Sequence, residues 1–181
     1  MIILLVGPAG VGKTSACRTI EHEFPDCLFR DLDELAPTWA VAAGIPTECH
    51  VQRLREYLKD DDLFLAIGLA ALADVAARNP NKHLVIDVGA GFQDANYAEN
   101  LHRAYPVIAI TAEPQVVYRR LCGSRGDPRT LQDYADREFA PGRRRLYANC
   151  RFQIDTSRLT TAEQTATEVR EKLRLLITEG R

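Results

Sequence analysis

Residues 2–14 limit what this chain can fold into more tightly than any other stretch. A short apolar run, Ile2 to Val6, leads directly into Gly7-Pro8-Ala9-Gly10-Val11-Gly12-Lys13-Thr14, and a helical pattern starts near residue 13. The run matches G-x-x-x-x-G-K-[ST] without adjustment, in the strand-before, helix-after setting that the motif needs. Such a strand delivers the loop to the carboxyl edge of a sheet. Glycines at 7, 10 and 12 let backbone N–H groups curl around phosphate oxygens where a Cβ would obstruct them. The following helix points its positive end at the same anion. Gly7, Pro8, Ala9, Gly10, Val11, Gly12, Lys13, Thr14 and Ser15 are therefore the candidate nucleotide-phosphate site. Lys13 is expected on the β- and γ-phosphates, and the Thr14 hydroxyl on Mg²⁺.

The remainder of the chain alternates in the same way. Strands are expected at Ile2–Val6, about Leu28–Asp31, Leu84–Val88, Val107–Ile110 and Phe152–Ile154. Helices are expected near 13–23, 34–43, 62–78, 94–103, 114–122, 130–148 and 161–178. Short β-branched runs between longer helical patterns are the signature of an α/β fold, a parallel sheet covered on both faces. The last helix has the clearest pattern, with Ala166, Val169, Leu173, Leu176 and Ile177 on one face. Thr160 and Glu163 can form its capping box, and Gly180 offers a stop. The stretch from Ala36 to Asp62 holds Pro37, Trp39, Gly44, Pro46 and the acidic run Asp60–Asp62. It is expected to be helical fragments joined by turns.

Bulk properties narrow the class. At 181 residues the chain fits a single domain. A formal net charge of -2 argues against a general nucleic-acid coat. No run approaches the ~20 apolar residues that span a bilayer, and Ile2–Val6 is too short and lacks the basic flank of a signal peptide. The five cysteines, at 17, 27, 49, 122 and 150, have no C-x-x-C spacing and are odd in number. Reduced thiols in a cytoplasm, acting as small buried hydrophobes, are expected of them.

Two acidic stations follow the loop. Asp31 and Asp33 come after the apolar run Cys27–Phe29, and at a strand end they would point toward the carboxyl edge where ligands bind. One could hold a Mg²⁺-bound water and the other orient or deprotonate an attacking hydroxyl. Helix capping is the competing role for either. Asp87 ends the run His83–Ile86 and could accept from Thr14 or a metal-bound water. A turn residue at a strand end is its bland alternative. Gly89-Ala90-Gly91 follows, small enough to bring backbone close to a substrate.

Nine of the nineteen arginines fall between Arg119 and Arg151, against four acidic residues in that stretch. Like charges gathered this densely repel unless an anion joins them. Cys122 to Arg129 reads as a loop with glycine hinges, and Arg143-Arg144-Arg145 lies near the end of the next helix. A lid of about residues 122–133 could close over a nucleotide and place Arg125 or Arg129 on developing charge. A solvated helix face is the alternative. So is a nucleic-acid patch with Tyr118, Tyr134, Phe139, Tyr147 and Phe152 as stacking platforms, although at helical spacing such residues are more often core.

Taken in order, the phosphate loop, Asp-x-Asp, the glycine pair, the lid and the Arg…Leu-Tyr stretch resemble the shikimate kinase family over most of the chain. Phe29-Arg30-Asp31-Leu32-Asp33 is similar to that family's Asp-x-Asp segment, Gly89-Ala90-Gly91 to its triple-glycine substrate loop, and Arg143 to Tyr147, followed by Ile154-Asp155-Thr156, to its Arg-x-x-Leu-Tyr stretch and last strand. The resemblance implies a three-layer P-loop kinase fold with a five-stranded parallel sheet, a Mg²⁺ and ATP site, and phosphorylation of a hydroxyl on a small metabolite. It implies Asp33, Gly89, Ala90, Gly91 and Arg143 at that metabolite, Thr14, Asp31 and Asp87 at the metal, and Lys13, Asp33, Arg125 and Arg129 in catalysis. Three departures concern the substrate. Where the family has Phe-Arg-x-x-Glu, whose arginine grips a carboxylate, this chain reads Phe64-Leu65-Ala66-Ile67-Gly68, leaving Arg53 or Arg55 to substitute. The lid's Arg-Pro is Asp127-Pro128, and the middle glycine is Ala90.

The expectation is thus a cytoplasmic ATP-dependent kinase for a small-molecule hydroxyl acceptor other than shikimate. Its substrate segment would be about 34–62, with Trp39 and Tyr57 near the acceptor. No membrane or nucleic-acid partner is expected, and the protein would be a monomer or weak dimer. A nucleoside or nucleotide kinase and a non-catalytic nucleotide-binding regulator are the alternatives.

Overall fold

A computed structural model describes residues 1–47, 50–93, 103–125, 128–159 and 161–180, the side chains of residues 90, 124 and 125 excepted. Five strands, β1 (Ile2–Val6), β2 (Cys27–Asp31), β3 (His83–Asp87), β4 (Val107–Thr111) and β5 (Phe152–Asp155), form one parallel sheet in the order β2-β3-β1-β4-β5. Every paired neighbour is parallel, for example Leu4 opposite Ile86 and Leu5 opposite Ile108. Among the described residues eight α-helices flank it: α1 (Lys13–Ile20), α2 (Leu32–Ala42), α3 (Val51–Leu58), α4 (Asp61–Arg78), α5 (Pro114–Arg125), α6 (Leu131–Glu138), α7 (Pro141–Ala148) and α8 (Ala162–Glu179).

The three layers follow from the strand sequences. In β1 and β4 successive residues are apolar on both sides, so each strand buries two faces rather than one. Ile3, Leu5, Ile108 and Ile110 face a cluster with Ile20, Val117, Tyr134, Val169 and Leu173. Leu4, Val6, Val107 and Ala109 face the opposite cluster with Leu32, Leu54, Phe64, Leu72 and Leu146. From β1 the chain runs to the edge strand β2 and returns to β3 on one side of β1, then crosses to β4 and β5 on the other, so the crevice at the carboxyl end of β1 is the switch point where such sheets bind ligands.

Several local expectations are adjusted. The pattern over 130–148 is broken into α6 and α7 at Phe139-Ala140, because Pro141 supplies no backbone donor and instead occupies the first turn of a new helix. The capping box of α8 lies one residue further on than expected. Thr161 accepts from the Gln164 N–H at 3.2 Å, and the Thr161 N–H donates back to Gln164 Oε1 at 3.2 Å. Thr160 lies outside the described residues, as do Cys49 and nearly all of the expected helix at 94–103. The acidic run becomes a helix start, with the Asp60 side chain accepting from the Leu63 N–H and Asp61 and Asp62 in the first turn of α4. Among the described cysteines, Cys17 and Cys150 are buried and none is in a disulfide. Among the described residues no helix is long and apolar enough to cross a membrane.

Candidate active site

The loop between β1 and α1 takes the conformation its glycines permit, with φ of 152° at Gly7, 86° at Gly10 and 107° at Gly12. At Gly7 the need for glycine is steric as well, since a Cβ there would overlap the Ile110 carbonyl oxygen of β4. Lys13 is 7% exposed and folds back over the loop, its ammonium donating to the carbonyls of Gly7 at 2.9 Å and Pro8 at 3.4 Å. Thr14 Oγ1 donates to Asp87 Oδ2 at 2.5 Å, and Asp87 Oδ1 lies 3.8 Å from Lys13 Nζ.

A cavity of about 290 Å³ opens on this loop, running from Lys13 and Thr14 to Asp31, Asp33, Asp87 and Gly89. It unites both acidic stations with the glycine segment, although Asp31 and Asp33 reach it differently from the expected strand-end pair. Asp31 ends β2 and caps α2, accepting from the Asp33 N–H at 2.9 Å; Asp33 is already in the first turn of that helix. The capping role and the site role of Asp31 therefore coincide. Burial first, then the neighbouring Asp31 charge, pushes the Asp33 carboxyl up to about 7. Burial and the Asp87 charge push Asp31 up to about 6. Gly89 must lack a side chain because a Cβ would collide with the Asp33 carboxylate.

Two buried acceptors in this cavity, Asp33 Oδ1 and Asp87 Oδ1, have no hydrogen-bond partner. Buried acceptors are ordinarily satisfied, so orphaned ones beside a phosphate loop fit a bound cation or a substrate hydroxyl. Among the described residues no group of three or more His, Cys, Asp or Glu forms a metal cage. Mg²⁺ is usually bound by one or two protein oxygens, phosphates and its own waters. Thr14, Asp87 and Asp31 are the side chains that fit such an ion.

Two of the residues that hold the loop, Gln93 and Glu138, carry no signal in the sequence. Gln93, 1% exposed, accepts from the Gly7 N–H at 3.2 Å and donates to Gly7 O at 3.0 Å and Val88 O at 2.5 Å. Tyr147 in turn donates to Gln93 Oε1 at 2.7 Å. Both backbone groups of Ala9 are taken by α6: Tyr134 donates to its carbonyl at 2.7 Å, and its N–H donates to Glu138 Oε2 at 3.1 Å.

The arginines divide by burial. Arg143 is 5% exposed and donates to Glu138 Oε2 at 2.9 Å. Arg129 reaches Glu138 Oε1 at 3.4 Å while its guanidinium lies 5.3 Å from the Tyr134 ring centroid. Arg144 and Arg145 face solvent. The side chain of Arg125 is outside the description. Arg120 donates to Thr156 Oγ1, Thr156 O and Leu159 O at 3.0, 2.8 and 2.6 Å. It borders a second cavity of about 250 Å³ on the far side of Gly10 and Gly12. Of the aromatics weighed as stacking platforms, Tyr134, Phe139 and Tyr147 are buried core.

On the acceptor side, a Cβ built on Gly91 would lie 3.8 Å from Phe64, 3.8 Å from Val51 and 3.9 Å from Asp33 Oδ1. The wall next to Asp33 is therefore apolar and comes from α3 and α4. Phe64 stacks on Phe92 with centroids 4.3 Å apart, and Gly68 makes room for Phe92, since a Cβ there would come within 2.6 Å of the ring. Trp39 packs partly buried against the core and Tyr57 is 51% exposed. Arg55 lies 5.6 Å from the Phe64 ring centroid and pairs with Asp61 at 2.9 Å.

Comparison with solved structures agrees on the architecture. Shikimate kinase from Bacteroides thetaiotaomicron superposes with a TM-score of 0.67 at 20% identity, over 97% of this chain and 98% of that one. The fold is that of the shikimate kinases. The tunicamycin resistance protein of Deinococcus radiodurans shares it at a TM-score of 0.59 and 21% identity, covering 95% and 94% of the two chains. A gluconokinase from Sinorhizobium meliloti does so at 0.52 and 16%, covering 97% and 95%. No protein-family model matches the sequence, and no curated protein matches it.

Proposed function

We propose that this chain is an ATP-dependent small-molecule kinase that transfers the γ-phosphoryl group to a hydroxyl of a small metabolite other than shikimate. The observation that carries the reading is the single cavity in which Lys13, Thr14, Asp87, Asp33 and Gly89 meet at the carboxyl end of β1. Proteins of this fold include shikimate kinases and a gluconokinase, which supports phosphoryl transfer to an alcohol.

Each side chain has a role that its setting supports. Loop amides and the start of α1 bind phosphate oxygens, and Lys13, already drawn over Gly7 and Pro8, adds a mobile positive charge on the same side. Thr14, Asp87 and Asp31 would hold Mg²⁺, which when bound would neutralise charge on the phosphates. Asp33 accepts the proton of the acceptor hydroxyl. With its carboxyl pushed up to about 7 and Oδ1 unpartnered, it can hold that proton near neutral pH. Gly89 and Gly91 let the acceptor approach Asp33, while Arg143 and Arg129 supply positive charge beyond Ala9. Arg120 and the cavity beside it are suited to the base and ribose end of the nucleotide.

Shikimate is set aside because Leu65 stands where a carboxylate-gripping arginine is needed, and the residues facing Gly91, namely Val51, Phe64 and Asp33, include no cation. An arginine–carboxylate pair is strong and geometrically demanding, and Arg55 is already paired with Asp61. The test is coupled ADP release with Mg²⁺ and ATP across shikimate, cyclitols, sugars, hydroxy amino acids and nucleosides, with Lys13→Ala as the control. Turnover on an alcohol other than shikimate, reduced at least ~10²-fold in Lys13→Ala, is expected. Nucleotide binding with no turnover on any acceptor would overturn the reading.

A further inference from the structure

One buried acid belongs to no role assigned so far. Glu138 is 1% exposed, yet it receives donors from three separate segments. These are the Ala9 N–H of the phosphate loop at 3.1 Å, Arg143 of α7 at 2.9 Å, and Arg129 from the stretch before α6 at 3.4 Å. We propose that Glu138 is a positioning residue for phosphoryl transfer. Its carboxylate fixes Arg129 and Arg143 beside Ala9, on the side of the loop where the terminal phosphate of the nucleotide arrives. This rests on the kinase reading above.

The geometry favours positioning over a plain structural ion pair. A structural pair needs one cation per carboxylate, whereas the guanidiniums of Arg129 and Arg143 share this one and that of Arg137 lies 3.9 Å from it. Its place on the loop also matters. Lys13 folds onto Gly7 and Pro8, the half of the loop that includes Ala9, so Lys13 and the arginine pair approach the same phosphate. Ala9, whose N–H Glu138 holds, lines the same cavity as Asp33.

Rigidity comes from α6. The Thr130–Asp133 capping box fixes the start of the helix next to Arg129. The Arg129 side chain runs along the helix over Tyr134 to reach Glu138 at its last residue. Tyr134 and Glu138 together hold both backbone groups of Ala9. The two arginines are therefore indexed to the loop itself.

The test is direct binding of ATP and ADP to the whole chain, with melting temperature read in parallel. Variants are Glu138→Gln, which keeps an acceptor for the Ala9 N–H but removes the charge, Arg129→Gln, and the two combined. In Glu138→Gln, ATP affinity is expected to fall about tenfold or more while ADP changes by less than about threefold, because only ATP brings the terminal phosphate. Arg129→Gln leaves Glu138 paired with Arg143 and serves if Glu138→Gln does not fold. It too is expected to weaken ATP selectively. In the double variant the two losses are expected to be non-additive, as for residues acting as a unit. Equal weakening of ATP and ADP alongside a fall in melting temperature, no change in either, or tighter binding of both would each overturn the proposal. These readouts do not need an acceptor. Absence of turnover in the wild type would sink the kinase reading while leaving the ATP-against-ADP comparison intact.

Discussion

Asp33→Asn gives the sharpest physical prediction, because it should stabilise the protein while disabling it. In the folded chain the Asp33 carboxyl is pushed up to about 7, by burial first and by Asp31 next. An unfolded aspartate titrates at about 3.9. Between those values the folded state binds more protons than the unfolded one, so stability falls as pH rises, and above about 7 the whole penalty is present. A tenfold change in proton affinity is worth about 1.4 kcal/mol, which puts the penalty at no more than about 4 kcal/mol. Asp31 shares the protonation, so about half of that, ~2 kcal/mol, is expected for Asp33 alone. Replacing the charge with a carboxamide of the same shape should then raise the melting temperature by roughly 4–8 °C at pH 8 in nucleotide-free protein. Near pH 4 the gain should vanish, because the wild-type carboxyl is then protonated in the folded state and increasingly so in the unfolded chain. Circular-dichroism melts of both proteins at pH 4, 6 and 8 and constant ionic strength measure this. Transfer should fall at least ~10²-fold at every pH, with loss of a rising limb near pH 7 in the wild-type kcat/KM profile. A variant less stable than wild type at pH 8, or a gain that persists undiminished at pH 4, would refute the electrostatic account of this site.

The remaining expectations are simpler. Gly89→Ala places a methyl on the Asp33 carboxylate, so kcat/KM should fall at least ~10-fold, with intact nucleotide binding by calorimetry showing that the loop survives. Gly7→Ala and Gly12→Ala share an unfavourable φ, but only the first also meets backbone; chemical denaturation should show roughly 1–2 kcal/mol lost at Gly12 and clearly more at Gly7. Thr161→Ala should cost ~1 kcal/mol as a lost cap, while Glu163→Ala should stay within about 0.5 kcal/mol, which denaturant melts can separate.

Local spacing was enough to determine the phosphate loop. Gly7, Gly10, Gly12, Lys13 and Thr14 act through backbone geometry within one turn, so strand, loop and helix were readable residue by residue. The five strands were readable for a related reason: buried parallel strands are short continuous apolar runs, and each ends close to where its run ends. Asp31, Asp33 and Asp87 could be singled out because they stand at or just beyond such ends. The frame of a helix was harder to fix, as the one-residue shift of the α8 cap to Thr161 and the break before Pro141 demonstrate. Thr-x-x-Glu and Thr-x-x-Gln overlap there, and the pattern of apolar residues runs through Phe139 unchanged.

Tertiary structure alone decided who holds the loop and what the arginines do. Gln93 meets Gly7 across 86 positions of sequence, and Glu138 meets Ala9 across 129. Neither has a neighbour, spacing or motif that marks it. The arginine excess between 119 and 151 was read as needing an anion; the structure sets two of those arginines, Arg129 and Arg143, on Glu138, one of the four acids already in that stretch. The apolar wall of Val51 and Phe64 beside Asp33 was equally invisible, because α3 and α4 are brought to the glycine segment only by packing on the sheet. A motif whose contacts lie within a few residues is written in the chain; a contact between distant segments exists only once the sheet has set their places.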